Sequence, residues 1–127
     1  MAHYLLVHGA WHNESCWYLL KPILEARGHS VTTLTLPGHN PGDVQKFLRG
    51  SMSEYADHVR DVARELQEPV ICVVHSMSGY VVALAADREP ELFSRLIYLT
   101  AFVPEGVRDL MTLIWYHWKT GRKVWKT

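Results

Sequence analysis

The chain has 127 residues, of which 48% are hydrophobic and 20% charged, as is typical of a single globular domain. Thirteen basic and thirteen acidic side chains cancel, so the charge indicates neither a nucleic acid nor a membrane as a partner. The apolar run at residues 4–7 is too short for a signal peptide or a transmembrane helix. The two cysteines lack metal-ligand spacing, and we expect them to be reduced thiols of a cytoplasmic protein.

Apolar runs and helical patterns alternate along the chain. The first part predicts a strand at residues 4–7, a helix at 16–27, a strand at 30–36 and a loop at 36–42. The second part predicts helices at 54–66, 78–87 and 107–118, with strands at 70–74 and 96–99. Ser53 is the predicted N-cap of the helix at 54–66. This alternation predicts an α/β fold, with a parallel sheet of about four strands and helices on both faces.

The composition changes near residue 107. Residues 1–106 carry 8 basic and 12 acidic side chains, whereas residues 107–127 carry 5 basic and 1 acidic. Three of the five tryptophans also fall in this last segment. We therefore divide the chain into one domain at 1–106 and a divergent C-terminal helix with a basic tail at 107–127.

The strongest chemical signal is a serine that directly follows a buried strand. The apolar run at residues 70–74 leads through His75 into Ser76, and a helix rich in small residues follows. A serine in such a turn is lifted off the carboxyl end of its strand, where parallel sheets bind their ligands. The N-terminal amides of the following helix favour negative charge at the same place.

This segment resembles the nucleophile elbow G-x-S-x-G of the α/β-hydrolase superfamily, and its surroundings resemble the esterase and hydroxynitrile lyase branch. Three further segments match that branch in the same chain order. Residues 8–12 are similar to its oxyanion-hole motif, 36–39 to the loop after its next strand, and 100–106 to the stretch beyond the elbow. The resemblance covers about residues 3–106, so the fold it implies is the N-terminal half of an α/β hydrolase.

The resemblance implies a role for several residues. Ser76 would be the nucleophile, and the backbone N–H groups of Ala10 and Met77 would form the oxyanion hole. Trp11 and Phe102 would contact the substrate, a small carboxylic ester. The resemblance implies no cofactor and no metal.

This sequence departs from the family pattern in two respects. Val74 and Ser78 stand where the motif has its glycines. The acid and the catalytic histidine of the family come from later strands, which this sequence does not contain. Of the histidines present, His117 and His39 are the candidates for a general base.

Three interpretations of function remain open. The first is an esterase that acts through an acyl-enzyme on Ser76. The second is a catalytically incompetent, truncated hydrolase fold that only binds a ligand or a partner. The third is a lyase that cleaves cyanohydrins.

The last predicted strand would have a free edge, so we also expect a homodimer, formed by edge pairing or through the C-terminal helix.

Overall fold

The computed structural model describes residues 1–104, and four strands alternate with α-helices in this part of the chain. The strands are β1 (His3–Val7), β2 (Ser30–Leu34), β3 (Val70–Ser76) and β4 (Phe93–Ala101). The helices are α1 (Leu20–Ala26), α2 (Val44–Leu48), α3 (Met52–Glu65) and α4 (Ser78–Arg88). Short 3-10 helices at Glu14–Trp17 and Pro90–Leu92 precede α1 and β4. The predicted helix at 107–118 and the domain boundary near residue 107 lie outside the described residues.

The strands form one parallel sheet in the order β2-β1-β3-β4. Strand β3 lies between β1 and β4, so the serine at its end has a neighbouring strand on each side. Because all four strands run in the same direction, their carboxyl ends share one edge of the sheet. The predicted parallel α/β fold is therefore confirmed.

Apolar side chains cover both faces of the central strands. On one face, Leu5, Val7, Cys72 and Val74 pack in a core with the apolar sides of α3 and α4. On the other face, a smaller core includes Leu6, Trp17 and Val73, and residues of α1 pack against it. Burial on both faces explains why β1 and β3 are continuous apolar runs rather than alternating ones.

The N-cap of α3 differs from the prediction. Ser51 rather than Ser53 caps this helix, and its hydroxyl accepts a hydrogen bond of 3.1 Å from the Glu54 N–H. The Ser53 hydroxyl instead accepts a hydrogen bond of 2.8 Å from the Arg88 guanidinium of α4. The prediction of Ser53 as the cap was wrong because this long-range contact leaves no local signal.

Strand β4 is longer than the predicted strand at 96–99. Its added residues include Ser94 and Arg95, which are exposed, so the apolar pattern did not reveal them. The short helix α2 lies in a stretch where the sequence indicated no helix. None of the helices in residues 1–104 has the length and apolar character needed to cross a bilayer.

Candidate active site

The chain turns sharply at Ser76, the last residue of β3. Only Met77 separates it from α4, which begins at Ser78. The φ angle of Ser76 is 54°, in the left-handed region that residues other than glycine seldom adopt. Backbone of this kind is enriched at functional sites. The turn leaves Ser76 partly exposed at the carboxyl edge of the sheet.

Two loops hold this turn closely. A Cβ atom on Gly9, in the loop after β1, would lie only 2.9 Å from the Ser76 Cβ. On the other side, the Phe102 N–H donates a hydrogen bond of 3.0 Å to the Ser76 carbonyl. The absence of a side chain at Gly9 therefore allows the β1 loop to lie against the serine.

The two residues that replace the motif glycines are accommodated in different ways. Val74 belongs to β3 and is fully buried in the core beside α3 and α4. Ser78 is also fully buried, and its hydroxyl donates a hydrogen bond to the His8 carbonyl. The turn at Ser76 therefore forms without either glycine.

The backbone amides of Ala10 and Met77 lack partners in the described part of the chain. Within residues 1–104, neither N–H donates a hydrogen bond to another group of the protein. Met77 immediately precedes α4, so its amide lies at the positive end of that helix dipole. An amide that has no protein partner is available to an acceptor on a ligand or to water.

His8 has a structural environment. Its Nε2 accepts a hydrogen bond of 2.9 Å from the Leu36 N–H, so the proton is on Nδ1, which donates to the Gly9 carbonyl at 2.7 Å. The ring is fully buried, and this burial lowers its pKa from 6.5 to about 4. His8 is therefore neutral at pH 7 and links the β1 loop to the chain after β2.

The two candidate bases have different positions. His39 is only 8% exposed, its ring packs against Phe47 and Tyr55, and no hydrogen bond joins it to Ser76. Its Nδ1 lies 3.1 Å from the Pro37 carbonyl, and its buried Nε2 has no hydrogen-bond partner within residues 1–104. His117 lies outside the described residues. The identity of the base therefore stays a prediction.

The two predicted substrate-binding residues lie on the loops beside the turn. Trp11 is 83% exposed, has a φ of 61°, and its ring lies 6.2 Å from that of Phe47 in α2. Phe102 follows β4, and its ring lies 5.8 Å from that of Tyr80 in α4. The sequence indicated neither the strained backbone of Trp11 nor the contribution of α2.

An open depression of about 400 Å³ lies next to the site, on the face of the sheet that carries α1. Its lining residues are His12, Cys16, Trp17, His75, Leu99 and Thr100. His75 Nδ1 lies 3.0 Å from the Leu99 carbonyl and 3.1 Å from the Thr100 hydroxyl, which connects β3 to the end of β4. Among residues 1–104, no three His, Cys, Asp or Glu side chains are grouped so that they could hold a metal ion.

Comparison with known proteins agrees with this geometry. The family model described as "Alpha/beta hydrolase family" matches residues 4–125. "Methylesterase 2" of Arabidopsis thaliana is 39% identical over 106 residues, which are 81% of this chain and 40% of that protein. The "Carbendazim hydrolyzing esterase" of a Nocardioides species is 40% identical over 119 residues, which are 90% of this chain and 48% of that protein.

A solved structure of an esterase is also similar to this chain. The crystal structure of polyneuridine aldehyde esterase superposes with a TM-score of 0.77 and 30% identity, over 94% of this chain and 48% of that one. The chain thus spans about half the length of the relatives it matches. On the match to the family model and on these similarities, the chain belongs to the α/β hydrolase family.

Proposed function

We propose that the protein is a serine hydrolase that cleaves small carboxylic esters through an acyl-enzyme on Ser76. The Ser76 oxygen attacks the ester carbonyl, and the Ala10 and Met77 amides bind the oxyanion that forms. The alcohol then leaves, and water releases the acid from Ser76. The observation that carries this proposal is the φ of 54° at Ser76, which lifts this serine off the end of β3 between two loops.

Two further observations support the oxyanion assignment. The Ala10 and Met77 amides donate no hydrogen bond within residues 1–104, so both can bind a developing negative charge. The loop that carries Ala10 lies against Ser76 because Gly9 has no side chain, and the space beside its Cα would not hold a Cβ atom. Amides fixed in this way require little reorganisation when charge develops on the substrate.

The side chains around the turn favour an ester with an apolar group. Trp11 is a large exposed side chain of the β1 loop, and Phe102 lies on the loop after β4, where its N–H binds the Ser76 carbonyl. An apolar substituent would be removed from water by contact with such side chains. Relatives are named as a methylesterase and a carbendazim-hydrolysing esterase, which supports small esters as the substrate class.

A general base is also required, because a serine hydroxyl is a weak nucleophile without one. Within residues 1–104 no histidine donates to or accepts from the Ser76 hydroxyl, and the rings around His39 enclose it. These contacts count against His39 as the base, and His117 lies outside the described residues. A cytoplasmic location completes the proposal, supported by Cys16 and Cys72, which are both free thiols.

Covalent labelling of the purified chain tests the proposal. A fluorophosphonate probe phosphonylates a serine whose hydroxyl is activated and whose surroundings stabilise an oxyanion. We expect labelling of the wild-type protein and none of Ser76→Ala. Absence of labelling above that of a urea-unfolded sample would contradict the esterase proposal.

The chain offers a matched control for this experiment. His3 Nε2 lies 2.7 Å from the Thr32 hydroxyl, and His3 Nδ1 lies 2.7 Å from the Glu68 carboxylate. These groups repeat the hydroxyl–imidazole–carboxylate order of a catalytic triad. They lie near the amino end of β1, away from Ser76. We expect Thr32→Val to be labelled like the wild-type protein. Loss of labelling in that variant would mean that the probe reacts with Thr32 and not with Ser76.

A second candidate is a catalytically incompetent fold that only binds a ligand or a partner. The observation that favours it is the absence, in residues 1–104, of a histidine hydrogen-bonded to Ser76. In that case an ester would bind without being cleaved. Binding of a radiolabelled aryl acetate in equilibrium dialysis, combined with no probe labelling and no product, would establish this alternative.

A further inference from the structure

A buried hydrogen bond connects two elements that are far apart in the sequence. The Ser78 hydroxyl, at the first residue of α4, donates to the carbonyl of His8, 70 residues earlier. Both residues are fully buried. Ser78 stands where the elbow motif of the family has a glycine, which could not make this bond. The bond is therefore a property of this chain rather than of the motif.

The Gly9 carbonyl of the β1 loop also accepts hydrogen bonds. The His8 ring donates to the Gly9 carbonyl at 2.7 Å, and the His12 N–H lies 3.4 Å from the same oxygen. The Leu36 N–H holds the other side of the His8 ring. The carbonyls of His8 and Gly9 are thus occupied, whereas the Ala10 N–H has no partner within residues 1–104.

The position of this bond matters for the two unpartnered amides. Ala10 is two residues beyond the acceptor His8, and Met77 is one residue before the donor Ser78. A change at the bond would therefore shift one amide relative to the other. Donors of an oxyanion hole must lie about 2.7–3.1 Å from the oxyanion, so a small displacement weakens both interactions.

We infer that Ser78 is a positioning residue whose hydroxyl, by holding the His8 carbonyl, sets the separation of the Ala10 and Met77 amides. The inference rests on the proposed esterase function of the same site. Ser78 does not contact the substrate and acts through the two loops that it joins. Its removal affects the step in which the oxyanion forms and leaves substrate binding unchanged.

The first test compares two serine variants that each lose one hydrogen bond to a carbonyl. Ser78→Ala removes the bond to His8, and Ser94→Ala removes the bond of 3.1 Å from the Ser94 hydroxyl to the Val70 carbonyl at the other end of β3. We expect Ser78→Ala to slow fluorophosphonate labelling about tenfold or more and Ser94→Ala to change it less than about twofold. With p-nitrophenyl acetate, kcat falls in Ser78→Ala while KM is unchanged.

A second readout separates positioning from a loss of stability. An oxyanion hole favours an ester over the matching thionoester, because sulfur is a larger and weaker acceptor. We expect the ester-to-thionoester rate ratio to fall in Ser78→Ala and in Ser78→Gly, at a temperature well below both unfolding midpoints. Ser78→Gly restores the residue of the family motif, so it provides a second hydroxyl-free variant if Ser78→Ala folds poorly.

Amide NMR distinguishes failure of this inference from failure of the proposed function. If the wild-type chain is not labelled, the esterase proposal fails, and the ¹⁵N–¹H signals of Ala10 and Met77 still report the role of Ser78. We expect both signals to shift in Ser78→Ala and to stay unchanged in Ser94→Ala. Unchanged Ala10 and Met77 signals in Ser78→Ala, or labelling at the wild-type rate, would overturn the inference.

Discussion

The carbonyl oxygen of Phe102 occupies the place where a side chain on Gly79 would begin. A Cβ atom built on Gly79 would overlap this oxygen and approach the Phe102 N to 3.1 Å. Gly79 is the second residue of α4 and is buried, and Phe102 directly follows β4. The helix after Ser76 therefore packs directly on the backbone of the loop beyond the next strand.

We predict that Gly79→Ala destabilises the protein in spite of the higher helix propensity of alanine. Propensity alone would stabilise the helix by up to about 1 kcal/mol. The overlap involves backbone atoms, which cannot rotate away, so we expect a net loss of at least about 2 kcal/mol. Urea unfolding monitored by circular dichroism measures the difference.

The sign of the change in unfolding free energy shows whether helix propensity or the steric overlap dominates in Gly79→Ala. Ala83→Gly, also in α4, is the control, because it reports the propensity cost alone at a position that is not fully buried. A gain in stability in Gly79→Ala would mean that the Phe102 loop does not lie on α4 in solution.

We predict that Gly9→Ala slows labelling of Ser76 while the fold is retained. The added methyl group would lie 2.9 Å from the Ser76 Cβ and 3.3 Å from the His75 carbonyl, so the β1 loop must move away from the turn. This movement carries the Ala10 amide with it. We expect the fluorophosphonate labelling rate to fall about tenfold or more, as for partial loss of an oxyanion donor.

Gly50→Ala is a matched control for this substitution. A Cβ atom on Gly50 would overlap the buried Tyr55 side chain, so this substitution reports the effect of a steric overlap that does not involve Ser76. Equal labelling rates in Gly9→Ala and the wild-type protein would show that the β1 loop does not contact Ser76.

The sequence predicted those parts of the fold that depend on local pattern. The apolar runs of β1 and β3 and the small residues of α4 define strands and a helix without knowledge of their partners. The turn at Ser76 was predicted for the same reason, because the strand, the serine and the helix follow one another directly in the sequence. The Ser51 cap was missed because Ser51 and Ser53 are both suitable, and only the Arg88 contact distinguishes them.

Other features of the site depend on contacts that the sequence does not display. The left-handed backbone of Trp11 and Ser76 has no local signal, because such φ values are typical of glycine. The bond from Ser78 to His8 spans 70 residues, and neither residue alone indicates its partner. The depression beside His75 also forms only when β4 lies next to β3.

We predict that His8 makes the protein less stable as the pH falls below neutrality. Burial lowers its pKa to about 4, whereas the unfolded chain has a histidine pKa of about 6.5. Between these two values the unfolded state binds more protons, so the free energy of unfolding decreases as the pH falls through this window. Urea titrations at pH 5.0 and 7.0 measure the difference.

Substitution of His8 tests this assignment. His8→Gln carries no titrating group, so we expect lower stability at pH 7.0 and a smaller difference between the two pH values. Ser94→Ala is the control because it removes a hydrogen bond to the Val70 carbonyl and no titrating group, and we expect it to keep the wild-type pH dependence. An unchanged pH dependence in His8→Gln would mean that another group is responsible.

We predict that the protein forms a homodimer by pairing of β4 with β4 of a second copy. In the described residues β4 is the outer strand of the sheet, and its Ile97 and Leu99 side chains are 39% and 45% exposed. A nine-residue edge strand with exposed apolar groups promotes pairing with another strand. Sedimentation velocity at micromolar concentration should give about twice the mass of the 127-residue chain.

A charge on the edge strand tests where the two copies meet. Because a lysine disfavours strand pairing, we expect Ile97→Lys to sediment as a monomer. Val44→Lys introduces the same charge at an exposed apolar residue of α2 and should remain dimeric. A monomeric wild-type protein would contradict the prediction. A dimer that persists in Ile97→Lys would indicate that the two copies meet elsewhere than at β4, for example through the apolar stretch of sequence at 107–118.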